Sequence, residues 1–174
     1  MKYKNKAMTL IDIIFIVFES IIVVFLILCW YMIRKEKNNK KDDYQLNTTK
    51  IALVKAALSW GLTNIPNPNK RNKTPSLEIS YVKSKKYHGI YFSHNYSICI
   101  YVNTHTDVKA LCDTVLHEYK HHIDMPTSAH KKQYNTYTEE LGYYDNPFEK
   151  AARAFALQHR ENCMHDLYKA GYLR

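Results

Sequence analysis

The chain has 174 residues, with 25 Lys and Arg against 16 Asp and Glu and a formal charge of +9. That length admits one modest domain and an appendage and leaves no room for a second large core. The positive excess suits nucleic acid or an anionic membrane surface, but much of it sits in runs such as Arg34 to Lys41 and Lys70 to Lys73, which read as solvated surface. The four cysteines form no Cys-x-x-Cys pair and give no sign of a Cys-type zinc site or a disulfide framework; they read as small buried hydrophobes.

In chain order, residues 1–7 form a short basic tail, and 8–33 are almost wholly apolar, about the length that spans a bilayer. Fourteen Ile, Leu, Val and Phe residues lie between Ile13 and Leu28. At about −0.5 kcal/mol each they outweigh the roughly 3 kcal/mol cost of one central carboxylate, Glu19. A transmembrane helix is therefore predicted. Its positive flank is heavier on the C-terminal side, at Arg34, Lys35, Lys37, Lys40 and Lys41, which places the C-terminal domain in the cytoplasm of a single-pass membrane protein. Residues 34–46 read as a polar, basic linker, and 47–174 as the folded domain.

That domain is predicted to be α+β. Thr48 or Thr49 caps a helix whose apolar positions run from Ile51 to Trp60 and which ends at Gly61. A loop with three prolines follows, from Asn64 to Pro75. Three short β-rich runs, Leu77 to Lys83, Tyr87 to Ser93 and Tyr96 to Asn103, predict a small sheet containing antiparallel pairs, the third run a half-buried strand. Thr106 or Asp107 caps a helix with apolar residues at Val108, Leu111, Cys112, Val115 and Tyr119. Residues 124–136 show no clear period and read as a loop or lid, and Tyr137 to Tyr144 as a short helix. Asn146-Pro147-Phe148-Glu149 opens a last helix, with Asn at the cap, Pro at the first helical position and Glu at the third.

The chemistry is carried by His117-Glu118-Tyr119-Lys120-His121, a complete HExxH in mid-helix. Residues four apart stand one above the other, so two imidazoles can reach one ion, while Glu118 lies one step round, beside the place of a reactive water. His122 falls about 100° from His121 and drops out of the pair. Two histidines leave a catalytic zinc site one protein ligand short. No histidine stands at the metzincin position, which is Thr127 here, and no thiolate has suitable spacing. A glutamate on a later helix remains, and Glu149 fits. The alternative for Glu149 is a capping-box carboxylate paired with Arg153.

The HExxH together with Asn146-Pro-Phe-Glu149-Lys-Ala-Ala-Arg-Ala-Phe-Ala156 resembles the gluzincin clan of zinc metallopeptidases and the small bacterial and phage zincins within it. The resemblance covers about residues 77 to 170. It implies Zn²⁺ held by His117, His121 and Glu149, Glu118 as general base, and a protein or peptide substrate whose backbone pairs with the strand before the motif helix, Tyr96 to Asn103. Tyr143, Tyr144 and His165, with Tyr137 behind them, are candidates for an oxyanion donor. The chain departs from the thermolysin-like pattern at Arg153, where those enzymes carry an Asp that orients a zinc-bound His. Asp113, Asp124, Asp145 or a backbone carbonyl would have to replace it. His88, His94, His105, His130 and His159 read as turn or surface residues.

Two further readings compete with a membrane-anchored peptidase. One is a catalytically inactive zincin-like module that binds a partner. The other is a nucleic-acid binder using Lys70 to Lys73 and Lys83 to Lys86, although no recognised nucleic-acid module is present.

Overall fold

The computed structural model describes residues 22–28, 30, 48–68 and 73–174. The chain divides into two compact units, 1–43 and 44–174. In the first, Ile22 to Leu28 and Trp30 are helical with exposed side chains. Among the described residues no helix is long and apolar enough to cross a membrane. This corrects the predicted transmembrane helix over 8–33, and with it the single-pass membrane location. A span needs about 20 consecutive residues, and the continuous helical run described here is about two turns. The remainder of that expectation, Glu19 included, lies outside the described residues, as do the tail 1–7 and the linker 34–46.

The second unit is α+β. Its first helix, α1, is Lys50–Asn64, started by Thr49, whose side chain accepts from the Ala52 N–H. It runs past the predicted stop at Gly61. That glycine is an interior packing position, where a Cβ would stand 3.1 Å from Cδ1 of Tyr119. Strands β1 (Ser76–Ser80), β2 (Gly89–Phe92) and β3 (Ser97–Tyr101) form one sheet in the order β1-β3-β2. β1 pairs with β3 in parallel, Leu77 opposite Ile98. β2 pairs with β3 in antiparallel fashion, Tyr91 opposite Ile98. β3 is thus the middle strand, and Ser97 to Ile100 are all buried, so the half-buried reading fails.

A short 3₁₀ turn, Val102–Thr104, leads to α2, Val108–Asp124, capped by the Asp107 carboxylate accepting from the Ala110 N–H. α2 is the central helix. It buries Leu111, Cys112, Val115, Leu116, Tyr119 and Ile123, and packs most extensively against the last helix, with α1 and the sheet on its other sides. α3, Ser128–Asp145, replaces the predicted loop. Thr127 caps it, and Gly142 breaks it near its end with φ +78°, a value that glycine adopts at no steric cost. α3 buries no residue, so it has no apolar stripe by which a sequence could betray it. α4, Pro147–Lys169, has Asn146 at its cap accepting from the Phe148 N–H and buries Glu149, Ala152, Ala156, Cys163, Met164 and Leu167. The alanines let α2 approach closely.

Candidate metal centre

α2 and α4 run past each other with opposite sense: His121 and His117 meet Glu149, and further along Asp113 meets Arg160. The helical repeat of α2 stacks His117 and His121 on the side facing α4, and the Asn146 cap with Pro147 places Glu149 in the first turn opposite them. The three side chains converge. Nε2 of His117 is 3.1 Å from Nε2 of His121 and 3.1 Å from Oε2 of Glu149, and Nε2 of His121 is 3.2 Å from Oε1 of Glu149. Glu149 is 2% exposed and His121 4%. His117, His121 and Glu149 together could hold a metal ion.

Two observations test that fit. Ligand atoms about 2.0–2.1 Å from a tetrahedral ion stand roughly 3.3–3.4 Å apart, close to the separations seen. In addition, Oε2 of Glu149 is buried and has no hydrogen-bond partner among the described residues although His117 stands beside it. Two imidazole nitrogens facing each other at 3.1 Å cannot both carry protons without repulsion. Both can present lone pairs to a shared cation. Burial would raise the Glu149 carboxyl, but the His117 and His121 imidazoles and the Tyr134 hydroxyl outweigh it and hold the group well below the usual carboxylate range. It is a charged ligand at neutral pH.

Glu118 lies beside the cluster, 6% exposed. Burial is the largest influence on its carboxyl and raises it, reinforced by the charge of Glu149 and opposed by the two histidines and by the Tyr91 N–H, which donates to it. Such a group stands ready to take up a proton. β2 presses directly on this residue: a Cβ at Gly89 would come within 2.7 Å of Cγ of Glu118 and 2.8 Å of Cγ2 of Thr114. Gly89→Ala is therefore expected to cost about 1–3 kcal/mol in folding free energy, measured by urea unfolding, and to displace the carboxylate.

A cleft of about 980 Å³ opens on the cluster. The α2 residues Asp113, Thr114, His117 and Glu118 form its floor. Lys86 to Gly89 make one wall, and Tyr134, Tyr143 and Tyr144 of α3 with Arg153, Leu157 and Arg160 of α4 make the other.

No protein-family model matches the chain, and no curated protein and no solved structure matches it. What the site can do is therefore read from its own geometry.

The remaining expected site residues separate. Tyr143 lines the cleft, and burial first, then the neighbouring Glu149 carboxylate, make its hydroxyl a weaker acid than an ordinary tyrosine. Tyr144 lines the cleft mouth, 78% exposed, with the Arg153 guanidinium over its ring. His165 is exposed on α4 and is not among the residues lining the cleft. Tyr137 packs on Phe148 and accepts from Gln133, away from the site.

None of the carboxylates expected to orient a histidine does so. Asp113 accepts from Arg160, and Asp124 and Asp145 pair with Lys120 and Lys150. The strand expected to receive substrate is not an edge strand. β3 has both edges occupied, and β2 is the outer strand beside the cleft. His105 is no surface residue: it is 3% exposed, its ring 5.1 Å from that of His88. His122 is a core residue stacked on Tyr119.

Tyr134 went unnoticed in the sequence. Its hydroxyl donates to Oε1 of Glu149 at 2.7 Å. Its carbonyl and the Thr138 hydroxyl accept from the Asn146 side chain, tying α3 to the start of α4. Nothing marks it among 15 tyrosines in a segment without periodicity.

Proposed function

We propose that this chain is a zinc-dependent metallopeptidase of the gluzincin type, with His117, His121 and Glu149 as ligands and Glu118 as general base. The observation that carries the reading is the mutual approach of the three ligand atoms beside a buried, partly desolvated carboxylate. The donor set is the one catalytic zinc uses, two His and one Glu.

Zinc bound there supplies a Lewis acid that makes water available as a nucleophile near neutral pH. The rest is work for the protein's own groups. Glu118 accepts the proton of the attacking water and passes it to the leaving nitrogen. The close approach of Gly89 limits where its side chain can lie. Tyr143 is the best placed of the candidate donors to the developing oxyanion, since it alone of Tyr143, Tyr144 and His165 lines the cleft beside a ligand; its one hydroxyl proton turns from the Glu149 carboxylate to the oxyanion. Tyr134 holds the Glu149 carboxylate from behind. The open edge of β2 offers main-chain partners to an extended peptide.

Metal analysis of the purified full chain tests this. One zinc per chain is expected, with hydrolysis of an unfolded protein such as casein lost on chelation and restored by zinc. A chain that holds no metal sinks the reading. Stoichiometric zinc without hydrolysis favours the inactive binding module.

A further inference from the structure

The cleft carries an excess of cations that the proposed chemistry does not use. Lys86, Arg153 and Arg160 line it, and apart from Glu118 its one acid is Asp113. Asp113 is committed to Arg160, at 2.8 Å, and Arg160 also pairs with Glu161 at 3.1 Å. Lys86 lies over the Tyr87 ring and has no carboxylate within salt-bridge distance among the described residues.

Arg153 is the cation nearest the metal ligands. It is 40% exposed, donates to the Tyr144 carbonyl and stands over the Tyr144 ring. Its approach to Oε2 of Glu149, at 3.9 Å, is far longer than the roughly 2.7–2.9 Å of a strong guanidinium–carboxylate pair. Glu149 already faces two imidazoles and accepts from Tyr134. A fixed positive charge beside a metal ligand weakens the hold on a cation. That cost is offset when an anion enters the cleft beside it.

Resting on the peptidase reading, we propose that Arg153, with Lys86 on the facing wall, selects peptides that carry a carboxylate close to the scissile bond. The Arg153 guanidinium stands 3.9 Å from the Glu149 carboxylate, little more than the roughly 3.3 Å rise of one residue of extended peptide. The carboxylate is therefore that of an acidic side chain, or of the chain terminus, within about two residues of the attacked carbonyl. Exposed Leu157 and Tyr144, at 63% and 78%, supply apolar surface beside it.

The test uses the zinc-loaded full chain carrying Glu118→Gln, so that bound peptides are not cut, and reads affinity by calorimetry. Three acetylated probes are compared: Ala-Ala-Leu-Glu-Leu-Ala-Ala with an amidated end, the same peptide with Gln for Glu and a free end, and the Gln peptide with an amidated end. At least one carboxylate probe is expected to bind about tenfold tighter than the neutral one, and which one does so distinguishes a side chain from a terminus. Adding Arg153→Gln should erase that advantage while zinc content, measured in parallel, stays at one per chain. Equal or absent binding of all three probes overturns the proposal, as does a preference that survives Arg153→Gln. Because affinity is read without turnover, an inactive parent chain with an intact acid preference sinks only the peptidase reading. Hydrolysis without acid preference sinks only this one.

Discussion

Glu118→Gln is expected to keep its zinc and lose peptide hydrolysis by about 10²–10⁴-fold, the usual worth of a positioned general base. The amide is nearly the same size as the carboxylate. It still fits beneath Gly89, where the tolerance is tight: a Cβ on that glycine would already overlap Glu118. What it cannot do is accept a proton. His117, His121 and Glu149 are untouched, so metal stoichiometry should not move. The burial that raises the Glu118 carboxyl adds a second signature. The base works only when ionised, so in the parent the rate should rise with pH through a value above the ordinary glutamate range. Peptide turnover against pH, with zinc content by mass spectrometry, checks both points. A variant that cuts as fast as its parent removes Glu118 from the mechanism.

Glu149→Ala carries the next largest effect. It leaves two imidazole nitrogens 3.1 Å apart with no anion to complete the site, and the zinc content should fall from one per chain to near zero with complete loss of hydrolysis. The same change leaves the Tyr134 hydroxyl without its acceptor. Some of any lost stability is therefore a hydrogen-bond cost, about 1–3 kcal/mol. Tyr134→Phe separates the two contributions. It removes the hydrogen bond and keeps the ligand, and should weaken zinc binding by only about 10–100-fold, as outer contacts to ligands do. Competition with a zinc-binding dye measures both. Undiminished zinc in Glu149→Ala would return that residue to a capping role in α4.

Where the chemistry follows the helical repeat, the sequence was readable. Thr49, Asp107 and Asn146 cap the helices that their side chains suggest, and His117 and His121 meet because four residues make about one turn. The approach of Glu149 to them had a local sign in Asn-Pro-Phe-Glu, although a capping box writes the same letters. The failures share a cause. α3 buries no side chain, so burial left no pattern in it, and Tyr134 on that helix could not be told from its many fellows. The alternation of Ile98 and Ile100 with Cys99 suggested one covered face, but β3 is flanked by strands on both edges and its Ser97 and Cys99 are buried too. Strand order is a property of the sheet and not of any one strand, which is why the outer edge beside the cleft belongs to β2. His105 looked like a turn residue because nothing nearby in sequence announces its partner, the His88 ring 5.1 Å away.

The polar seating of α3 has a consequence for access. The wall bearing Tyr134, Tyr143 and Tyr144 is fastened by a few hydrogen bonds, among them those from Asn146 and to Glu149, while the interior is sealed by α1, α2, α4 and the sheet. Of its three tyrosines only Tyr134 also rests on the oily centre, so Tyr143 and Tyr144 can be exchanged without opening a void there. The doorway can thus be rebuilt at small energetic expense while the foundation stays put.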